Sequence, residues 1–273
     1  MPTTARNREV PTGRTILITG ASSGIGEALA LAYADAGTTL ALTGRDERRL
    51  GAVVSACRDR GSVVDAVMLD VTDRRAMADW IAAIDRDHPL TLVIANAGIS
   101  GGTGGGGESE AQARAILAVN LDGVLNTIHP ALDCMRRRNA QGRELKGQIA
   151  LMSSLAAFRG FPGAPAYSAS KAAVRSYGEA LRVELAREGI GVSVICPGFV
   201  RSRMTEGNRF RMPFLMDSAR AAAIIKRGLA HNRPRIAFPW PTYIGAWLAG
   251  ALPPSLADPI LGALPEKAAR DPR

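Results

Sequence analysis

The chain has 273 residues, of which 47% are apolar and 22% charged, enough for one large α/β domain with a filled core. Its three cysteines are scattered and odd in number and its three histidines are isolated, which argues against a metal site and favours a reducing, cytoplasmic compartment. The net charge of +9 comes from dispersed arginines that form no recognised nucleic-acid motif, so we expect no nucleic-acid partner.

Six apolar runs along the chain predict β-strands. The runs are continuous rather than alternating, as in strands that are buried on both faces of a parallel sheet. They cover Thr15–Thr19, Leu40–Thr43, Val63–Leu69, Leu90–Ala95, Gln148–Met152 and Val192–Cys196. Helical stretches lie between them at Gly26–Ala36, Glu47–Arg60, Arg74–Arg86, Glu110–Arg138 and Ala166–Glu188. This alternation predicts an α/β fold with a doubly wound, Rossmann-type parallel sheet of about seven strands and helices on both faces.

A glycine loop separates the first strand from the first helix, with Gly20, Gly24 and Gly26 following Thr19. Glycine lets the backbone approach a pyrophosphate closely, and a helix N-terminus adds N–H groups and a positive dipole. The spacing differs from the common GxGxxG pattern, and the loop alone fits a ligand cradle or a plain turn equally well. A second glycine-rich run at 101–107 follows the fourth strand without a Gly-Lys-Ser/Thr sequence, so we predict a flexible loop there.

Tyr167 is the only one of the four tyrosines with a lysine four residues later, Lys171. On a helix these two positions share one face, so the phenol and the ammonium can act on the same atom. We expect the ammonium to favour the phenolate and to lower the pKa of the phenol toward the physiological range. Such a pair would act as a general acid/base without histidine.

Both termini lie outside the repeating pattern. Residues 1–13 are polar and lack the apolar segment of a signal peptide, so we predict a flexible lead before a single catalytic domain at 14–233. Residues 234–273 form an apolar extension, in which prolines leave less than the ~20 continuous residues that cross a bilayer. We favour its packing against its own domain or a partner subunit. The alternative is a membrane interface, helped by Lys267, Arg270 and Arg273.

Six motifs occur in the order found in the short-chain dehydrogenase/reductase family. They are TGxxxGIG at Thr19–Gly26, Asn96-Ala97-Gly98, Asn120, Ser154, Tyr167-x-x-x-Lys171 and Pro197-Gly198. The chain resembles the compact single-domain branch of this family from about Arg14 to Arg233. The resemblance implies hydride transfer between a nicotinamide cofactor and a small carbonyl or alcohol substrate. It also implies a homodimer or homotetramer built through the long helices at 110–138 and 166–188.

The resemblance further implies which residues hold the cofactor. The glycine loop would hold the pyrophosphate and ribose, Asp70 and Val71 would contact the adenine, and the residues after the sixth strand would line the nicotinamide. Ser202 stands where the family often has threonine, which keeps the hydroxyl. The implied cofactor set is Gly20, Ser22, Ser23, Gly24, Ile25, Gly26, Arg45, Asp70, Val71, Asn96, Ala97, Gly98, Tyr167, Lys171, Pro197, Gly198, Val200 and Ser202.

The end of the second strand predicts which nicotinamide cofactor binds. NAD-binding members place a carboxylate there to accept from the ribose 2′-OH, whereas an arginine pairs with a 2′-phosphate. This chain has Gly44 where the acid would stand and Arg45 after it, so NADP(H) is favoured over NAD(H). Ser23 stands where many NADP-binding members carry a second basic residue, which keeps an NAD-dependent alcohol dehydrogenase open. Asp46 is interpreted as a helix N-cap.

Four side chains are implied to be catalytic: Asn120, Ser154, Tyr167 and Lys171. Tyr167 would donate a proton to a carbonyl oxygen as hydride arrives, and Lys171 would stabilise the phenolate and bind the ribose hydroxyls. Ser154 lies thirteen residues before Tyr167, the usual family offset, and would donate to the developing alkoxide. Asn120 would hold a proton-relay water next to the lysine.

The segment Arg201–Asp217 is expected to cover the reacting carbon as a lid. Its apolar side chains suggest a bulky or lipid-like ketone or alcohol, while its arginines leave an acidic substrate group open. The favoured function is an NADP-preferring oxidoreductase. Its rivals are a catalytically silent dinucleotide-binding sensor or scaffold, which would not need all four catalytic side chains, and a membrane-anchored, lipid-modifying reductase.

Overall fold

The computed structural model describes residues 13–103, 106–140, 147–206, 208 and 210–262. The predicted lead at 1–12, Gly104 and Gly105 of the second glycine-rich run, and the basic residues after 262 lie outside the described residues. The strands are β1 (Arg14–Thr19), β2 (Thr38–Gly44), β3 (Val63–Met68), β4 (Leu90–Ala95), β5 (Gln148–Met152), β6 (Gly191–Pro197) and β7 (Arg235–Phe238).

The helices of the described residues alternate with these strands up to β7. They are α1 (Gly24–Tyr33), α2 (Glu47–Arg58), α3 (Arg74–Asp87), α4 (Glu110–Leu117), α5 (Gly123–Ala140), α6 (Pro165–Leu185), α7 (Arg203–Glu206), α8 (Ser218–Ala230), α9 (Trp240–Ala251) and α10 (Pro254–Gly262). Asp46 caps α2 by accepting from the Arg49 N–H, as predicted from the sequence.

The described strands form one parallel sheet in the order β3-β2-β1-β4-β5-β6-β7. The strand order reverses at β1, which pairs with β2 on one side and β4 on the other. Ligands of such sheets bind outside the carboxyl ends of the strands at this reversal. The predicted doubly wound, Rossmann-type fold is confirmed.

Successive residues of the central strands enter two separate cores, one on each face of the sheet. In β1, Ile16 and Ile18 pack with residues of α1, α2 and α8, whereas Leu17 packs with residues of α3, α5 and α6. Both faces are therefore apolar, which explains why the strand sequences read as continuous apolar runs. Helix α6 approaches the sheet closely at Gly178, where a Cβ atom would lie 2.6 Å from Val194 Cγ2.

Helices α4 and α5 are joined by a π-helical turn at Ala118–Asp122, so the predicted helix at 110–138 has one irregular turn. The stretch Glu110–Ala140 is long and apolar enough to cross a membrane by length and composition. About 44% of its apolar window is buried inside the fold, however, and the same test is passed by core helices of soluble proteins. Ile116 and Ile128 on this stretch are fully buried.

The sheet continues past the expected domain boundary at 233. Strand β7 pairs with β6 through Val194 opposite Arg235 and Pro197 opposite Phe238. The residues after β7 form α9 and α10, and one side of α9 packs on the domain because Tyr243 meets the Phe158 ring edge-on, with centroids 5.6 Å apart. The other side of α9 is exposed, with Trp240 and Trp247 at 67% and 52% of their full accessibility.

Candidate active site at the carboxyl ends of the strands

The glycine loop between β1 and α1 is packed too tightly for side chains at its glycine positions. Gly20 has φ of +67°, a conformation that glycine adopts without strain. A Cβ atom at Gly26 would lie 2.2 Å from Gly20 O and 2.5 Å from Asn96 Nδ2. The first turn of α1 therefore lies directly against the end of β1, and the loop backbone is left open to a ligand.

Two residues from neighbouring strands hold this loop. Thr19 Oγ1 accepts from the backbone N–H groups of Asn96 and Ala97 at 3.0 and 3.1 Å. The Asn96 amide donates in return to Thr19 O at 2.8 Å and Gly20 O at 3.2 Å. The Asn96 side chain thus holds the loop in place. The sequence predicts that Asn96 flanks the cofactor, and the backbone of this residue and its neighbours is the part that could do so.

The end of β2 has no room for an acidic side chain in the present backbone. A Cβ atom at Gly44 would lie 2.9 Å from both Cβ and Oγ of Ser22. Arg45 follows on the surface, with its Nη1 3.9 Å from Asp70 Oδ2 and both side chains about half exposed. The end of β2 thus presents the Arg45 guanidinium at the surface and no side chain at Gly44.

The two residues predicted to contact adenine differ in accessibility. Asp70 is half-buried, and its Oδ1 accepts from Thr72 N and Oγ1. Val71 is 5% exposed and packs closely against Gly123 of α5. A Cβ atom at Gly123 would lie only 2.5 Å from Val71 Cγ2. The Val71 side chain therefore belongs to the core, and only its backbone is available to an adenine ring.

Tyr167 and Ser154 are hydrogen-bonded to each other across the gap between α6 and the end of β5. Ser154 Oγ also accepts from Ala156 N at 3.1 Å, which fixes the turn that follows β5. Ser153 points elsewhere, since its hydroxyl donates to Lys171 O at 2.8 Å. Of the two serines, Ser154 is therefore the one whose hydroxyl meets the Tyr167 phenol.

Lys171 lies 3% exposed between α6, β5 and the loop after β4. Its Nζ donates to Met152 O at 2.9 Å and stands 5.8 Å from the centroid of the Tyr167 ring. A Cβ atom at Gly98 would approach this Nζ to 3.3 Å and Asn120 Oδ1 to 3.1 Å. Lysine, asparagine and the Gly98 backbone therefore meet at one point.

Asn120 is completely buried in the π-helical turn between α4 and α5. Its Oδ1 accepts from Ile99 N at 2.8 Å, and its Nδ2 donates to Ile99 O and to Ser170 Oγ, each at 3.0 Å. Ser170 donates in turn to Tyr167 O at 2.8 Å. Single π-helical turns are frequently found at functional sites, and this one directs an amide into the interior beside the Tyr–Lys pair.

Burial sets the proton affinities of Tyr167 and Lys171. It raises the pKa of the Tyr167 phenol above 10.0, and the hydrogen bond with Ser154 opposes this only in part. It lowers the pKa of Lys171 from 10.5 to about 8. The prediction that the ammonium brings the phenol pKa down is therefore wrong, because the phenol loses its hydration on burial.

The residues after β6 are anchored on both sides of the site. Gly198 N donates to Phe238 O at 2.7 Å, which ties this turn to β7. Val200 pairs with Met216, and Arg201 N donates to Met216 O, so the two ends of the predicted lid are joined. Ser202 lies against the glycine loop, since a Cβ atom at Gly24 would approach its Cβ to 3.0 Å.

A cavity of about 530 Å³ lies between the glycine loop, α2 and this lid. Its walls include Ser22, Ser23, Gly24, Arg49, Ser202 and Met212. Elsewhere in the described chain, no group of three or more His, Cys, Asp or Glu could hold a metal ion. A bare-backbone loop, a helix N-terminus and hydroxyl-bearing walls fit a dinucleotide, whose phosphates accept hydrogen bonds.

One positioning contact has no local sequence signal. Helix α6 begins at Pro165 after an alanine that cannot cap it. Glu108 supplies the acceptor instead, because its Oε2 accepts from Ala166 N at 2.9 Å. Its Oε1 accepts from Gln112, whose amide also donates to Gly102 O at 3.2 Å. The described part of the second glycine-rich run is thus linked to the helix that carries Tyr167.

Comparison with known proteins agrees with this geometry. Residues 14–212 match the family model described as short chain dehydrogenase. The chain is 38% identical over 246 residues to an uncharacterized oxidoreductase of Myxococcus xanthus, covering 90% of this chain and 95% of that protein. It is 34% identical to a 3beta-hydroxysteroid dehydrogenase of Mediterraneibacter gnavus, covering 71% of this chain and 68% of the other. A solved short-chain dehydrogenase from Streptomyces avermitilis superposes with a TM-score of 0.75 at 27% identity, covering 91% and 95% of the two chains.

The burial of Lys171 predicts a pH-dependent stability. Between about pH 8 and 10.5 the folded lysine is neutral while an unfolded lysine keeps its proton, so the unfolded state binds more protons and the free energy of unfolding rises with pH. Relative to Lys171→Met, the parent should gain about 2 to 3 kcal/mol between about pH 7 and pH 10 in urea unfolding.

The comparison of two proteins at each pH cancels the titration of Tyr33, whose pKa is raised to about 12 by burial. Lys226→Met, at a partly buried lysine, controls for the loss of a lysine as such. An unchanged stability difference between parent and Lys171→Met at the two pH values would contradict the lowered pKa.

Proposed function

The chain belongs to the short-chain dehydrogenase/reductase family, and we propose that it is an NADP-preferring oxidoreductase that interconverts a carbonyl and an alcohol. The observation that carries the proposal is the convergence of Tyr167, Ser154, Lys171 and Asn120 beside the braced glycine loop. The bound nicotinamide would supply or accept the hydride. The protein's part is to bind the dinucleotide, orient the carbonyl and move one proton.

The cofactor would be held at the switch point of the sheet. The backbone from Gly20 to Gly26 and the N-terminus of α1 would bind the pyrophosphate, with Ser22 and Ser23 beside it. Asp70 and the backbone of Val71 and of Asn96-Ala97-Gly98 would flank the adenine and ribose. Pro197, Gly198, Val200 and Ser202 would line the nicotinamide, and Lys171 would donate to the ribose hydroxyls.

In the reductive direction Tyr167 is the proton donor. Its raised pKa keeps the phenol protonated at neutral pH, as a general acid requires. Ser154, already bonded to that phenol, would donate to the same substrate oxygen as negative charge develops on it. After proton transfer, the Lys171 ammonium would stabilise the phenolate, because a nearby opposite charge favours the ionised form.

Asn120 would act as a fixed support for returning the proton to this pair. One lone pair of its Oδ1 accepts from Ile99 N, and the carbonyl oxygen has a second that a water beside Lys171 could use. Its Nδ2 is committed to Ile99 O and Ser170. The amide therefore cannot rotate without breaking three hydrogen bonds.

The substrate is proposed to be an apolar ketone or alcohol. Met212 and Leu215 of the lid contribute to the cavity wall, and a relative with 34% identity is named as a dehydrogenase of a hydroxysteroid. Arg201 of the lid is already paired with Asp217 at 2.9 Å. That pairing weakens the alternative in which this arginine meets an acidic substrate group.

A catalytically silent dinucleotide-binding protein is the rival function. Such a protein has no need for a phenol and a lysine buried together, since burying polar groups costs free energy that only their interactions offset. The proposal therefore predicts turnover, and a panel of aliphatic, aromatic and steroid ketones, followed by loss of nicotinamide absorbance, tests it. Tight NADPH binding without turnover of any member of the panel would favour the rival.

Tyr167→Phe should reduce turnover of the best ketone in this panel by about 10² to 10⁴, because the proton donor is lost. The affinity for NADPH should stay within about twofold, since the phenyl ring keeps the packing of α6. Tyr177→Phe is the matched control, because this tyrosine lies on the same helix and its hydroxyl is hydrogen-bonded to His129 rather than to a catalytic side chain. Equal turnover in Tyr167→Phe and the parent would remove Tyr167 from the mechanism.

Arg45→Ala should weaken NADPH binding about tenfold or more while changing NADH binding less than about twofold, because a charged hydrogen bond to the 2′-phosphate is lost. Titration of the purified protein with each nucleotide, followed by nicotinamide fluorescence, measures both affinities without a known substrate. Arg75→Ala removes the same charge from a side chain that is 94% exposed on α3. Parallel losses of both nucleotides in Arg45→Ala would overturn the NADP preference.

We also propose that the protein is a homodimer or homotetramer and that a second copy covers the exposed side of α9. This side presents Trp240, Ile244, Trp247 and Leu248, which recur at helical spacing. A membrane interface would call for Lys or Arg on the same side, but α9 itself contains neither, and the basic residues named for that alternative, Lys267, Arg270 and Arg273, follow later in the sequence. A protein partner with an apolar surface therefore suits this side better than an anionic lipid surface.

Trp247→Asp should lower the mass measured by sedimentation, because it places a charge in the proposed interface. Val63→Asp at the opposite edge of the sheet, where Val63 is 59% exposed, should leave the mass unchanged. A monomeric parent, or a parent that floats with phosphatidylserine vesicles and loses flotation in Trp247→Asp, would contradict this proposal and favour the membrane interface.

A further inference from the structure

We infer that Arg49, in the first turn of α2, is a second cation for the 2′-phosphate of NADP(H) and a determinant of cofactor specificity. This inference rests on the proposed NADP preference. The sequence shows Ser23 in the glycine loop where a second basic residue is often found, and so leaves Arg45 as the single cation in view. The structure brings another arginine, from α2, to the wall of the cavity beside the glycine loop.

Arg49 reaches the glycine loop through the folding of α2 against it. Its side chain lines the cavity of about 530 Å³ together with Ser22, Ser23 and Gly24. Ser22 is also the residue whose side chain lies against Gly44 at the end of β2. Arg49 therefore borders the position at which the family distinguishes a 2′-hydroxyl from a 2′-phosphate.

The guanidinium of Arg49 is oriented and only partly satisfied. Its Nη2 lies 3.2 Å from Asp46 Oδ2, while Asp46 Oδ1 accepts from the Arg49 backbone N–H at 2.9 Å. Both oxygens of Asp46 are thus directed at one residue. The Nε of Arg49 is buried and has no hydrogen-bond partner among the described residues. A buried donor without an acceptor is costly, and a phosphate oxygen would satisfy it.

The cavity is lined by charges of both signs: Arg49, Arg201 and Arg203 are basic, and Glu27 and Glu206 are acidic. Asp46 and Glu27 both stand at this end of the site, and each carboxylate would repel a 2′-phosphate. Arg45 is more than half exposed and 3.9 Å from Asp70, so its attraction is weakened by solvent. Arg49 is held by Asp46 and its side chain is only 29% exposed, so its guanidinium is a less solvated cation than Arg45 in the wall of the cavity.

The test compares Arg49→Gln with Arg48→Gln, which removes the same charge from the adjacent, exposed position of α2. Full-length proteins are titrated with NADPH and with NADH at low ionic strength, where such contacts are least screened. We expect Arg49→Gln to weaken NADPH binding about tenfold and NADH binding less than about twofold, with Arg48→Gln changing neither. The NADPH affinity of Arg49→Lys should lie between those of the parent and Arg49→Gln, because an ammonium keeps the positive charge but lacks the planar fork of donors.

Thermal melting of each variant establishes that it is folded. If Arg49→Gln does not fold, the NADPH and NADH affinities of Arg49→Lys are compared with those of the parent instead. An unchanged NADPH-to-NADH ratio in Arg49→Gln, in a parent that prefers NADPH through Arg45, would overturn the role of Arg49 and leave the proposed function standing. Equal losses of both nucleotides would also overturn it. A parent without preference for NADPH would remove the NADP proposal itself and Arg49 with it.

Discussion

The close approach of α1 to the end of β1 is the constraint on which the site depends. Because only a hydrogen atom fits at Gly26, the helix N-terminus comes within contact distance of Gly20 O and of the Asn96 amide. Asn96 and Thr19 then join the ends of β1 and β4 through four hydrogen bonds. The glycine loop and the loop after β4 are consequently one rigid unit. Gly98, at the end of that unit, touches both Lys171 and Asn120, so the cofactor cradle and the Tyr–Lys pair share a frame.

That frame explains how polar side chains are tolerated in the interior. Asn120, Ser153, Ser170 and Lys171 are all buried, and each has a hydrogen-bond partner. Their partners are mostly backbone groups, which lie at the end of β5, in the loop after β4 and in the first turns of α6. Hydrogen bonds to these backbone groups offset the free-energy cost of burying the polar side chains. The polar network is therefore confined to one edge of the sheet.

Much of this could be predicted from the sequence because the signals are local. Continuous apolar runs identify strands buried on two faces, and the strand–helix alternation then fixes a doubly wound sheet. Strand β7 could not be found in this way, since its four residues merge with the apolar segment that continues into α9. The cap that Glu108 provides to α6 and the contact of Arg49 with the glycine loop are equally hidden, because each joins residues from different elements. The pKa of Tyr167 was predicted in the wrong direction because spacing along a helix reports proximity to Lys171 but not loss of water.

The use of arginine and lysine follows the same logic of burial. Arg138 is 5% exposed, is paired with Asp85 and donates to Leu90 O at 2.6 Å, which fastens α5 to α3 and β4. A guanidinium keeps its charge when buried and offers several donors in a fixed plane, so it suits a permanent structural bridge. Lys171 is just as buried, yet its pKa falls to about 8, because an ammonium loses a compact hydration shell and can release its proton. The chain has thirty arginines and only four lysines, yet the residue beside Tyr167 is a lysine. Unlike an arginine, this residue can gain or lose its charge near neutral pH.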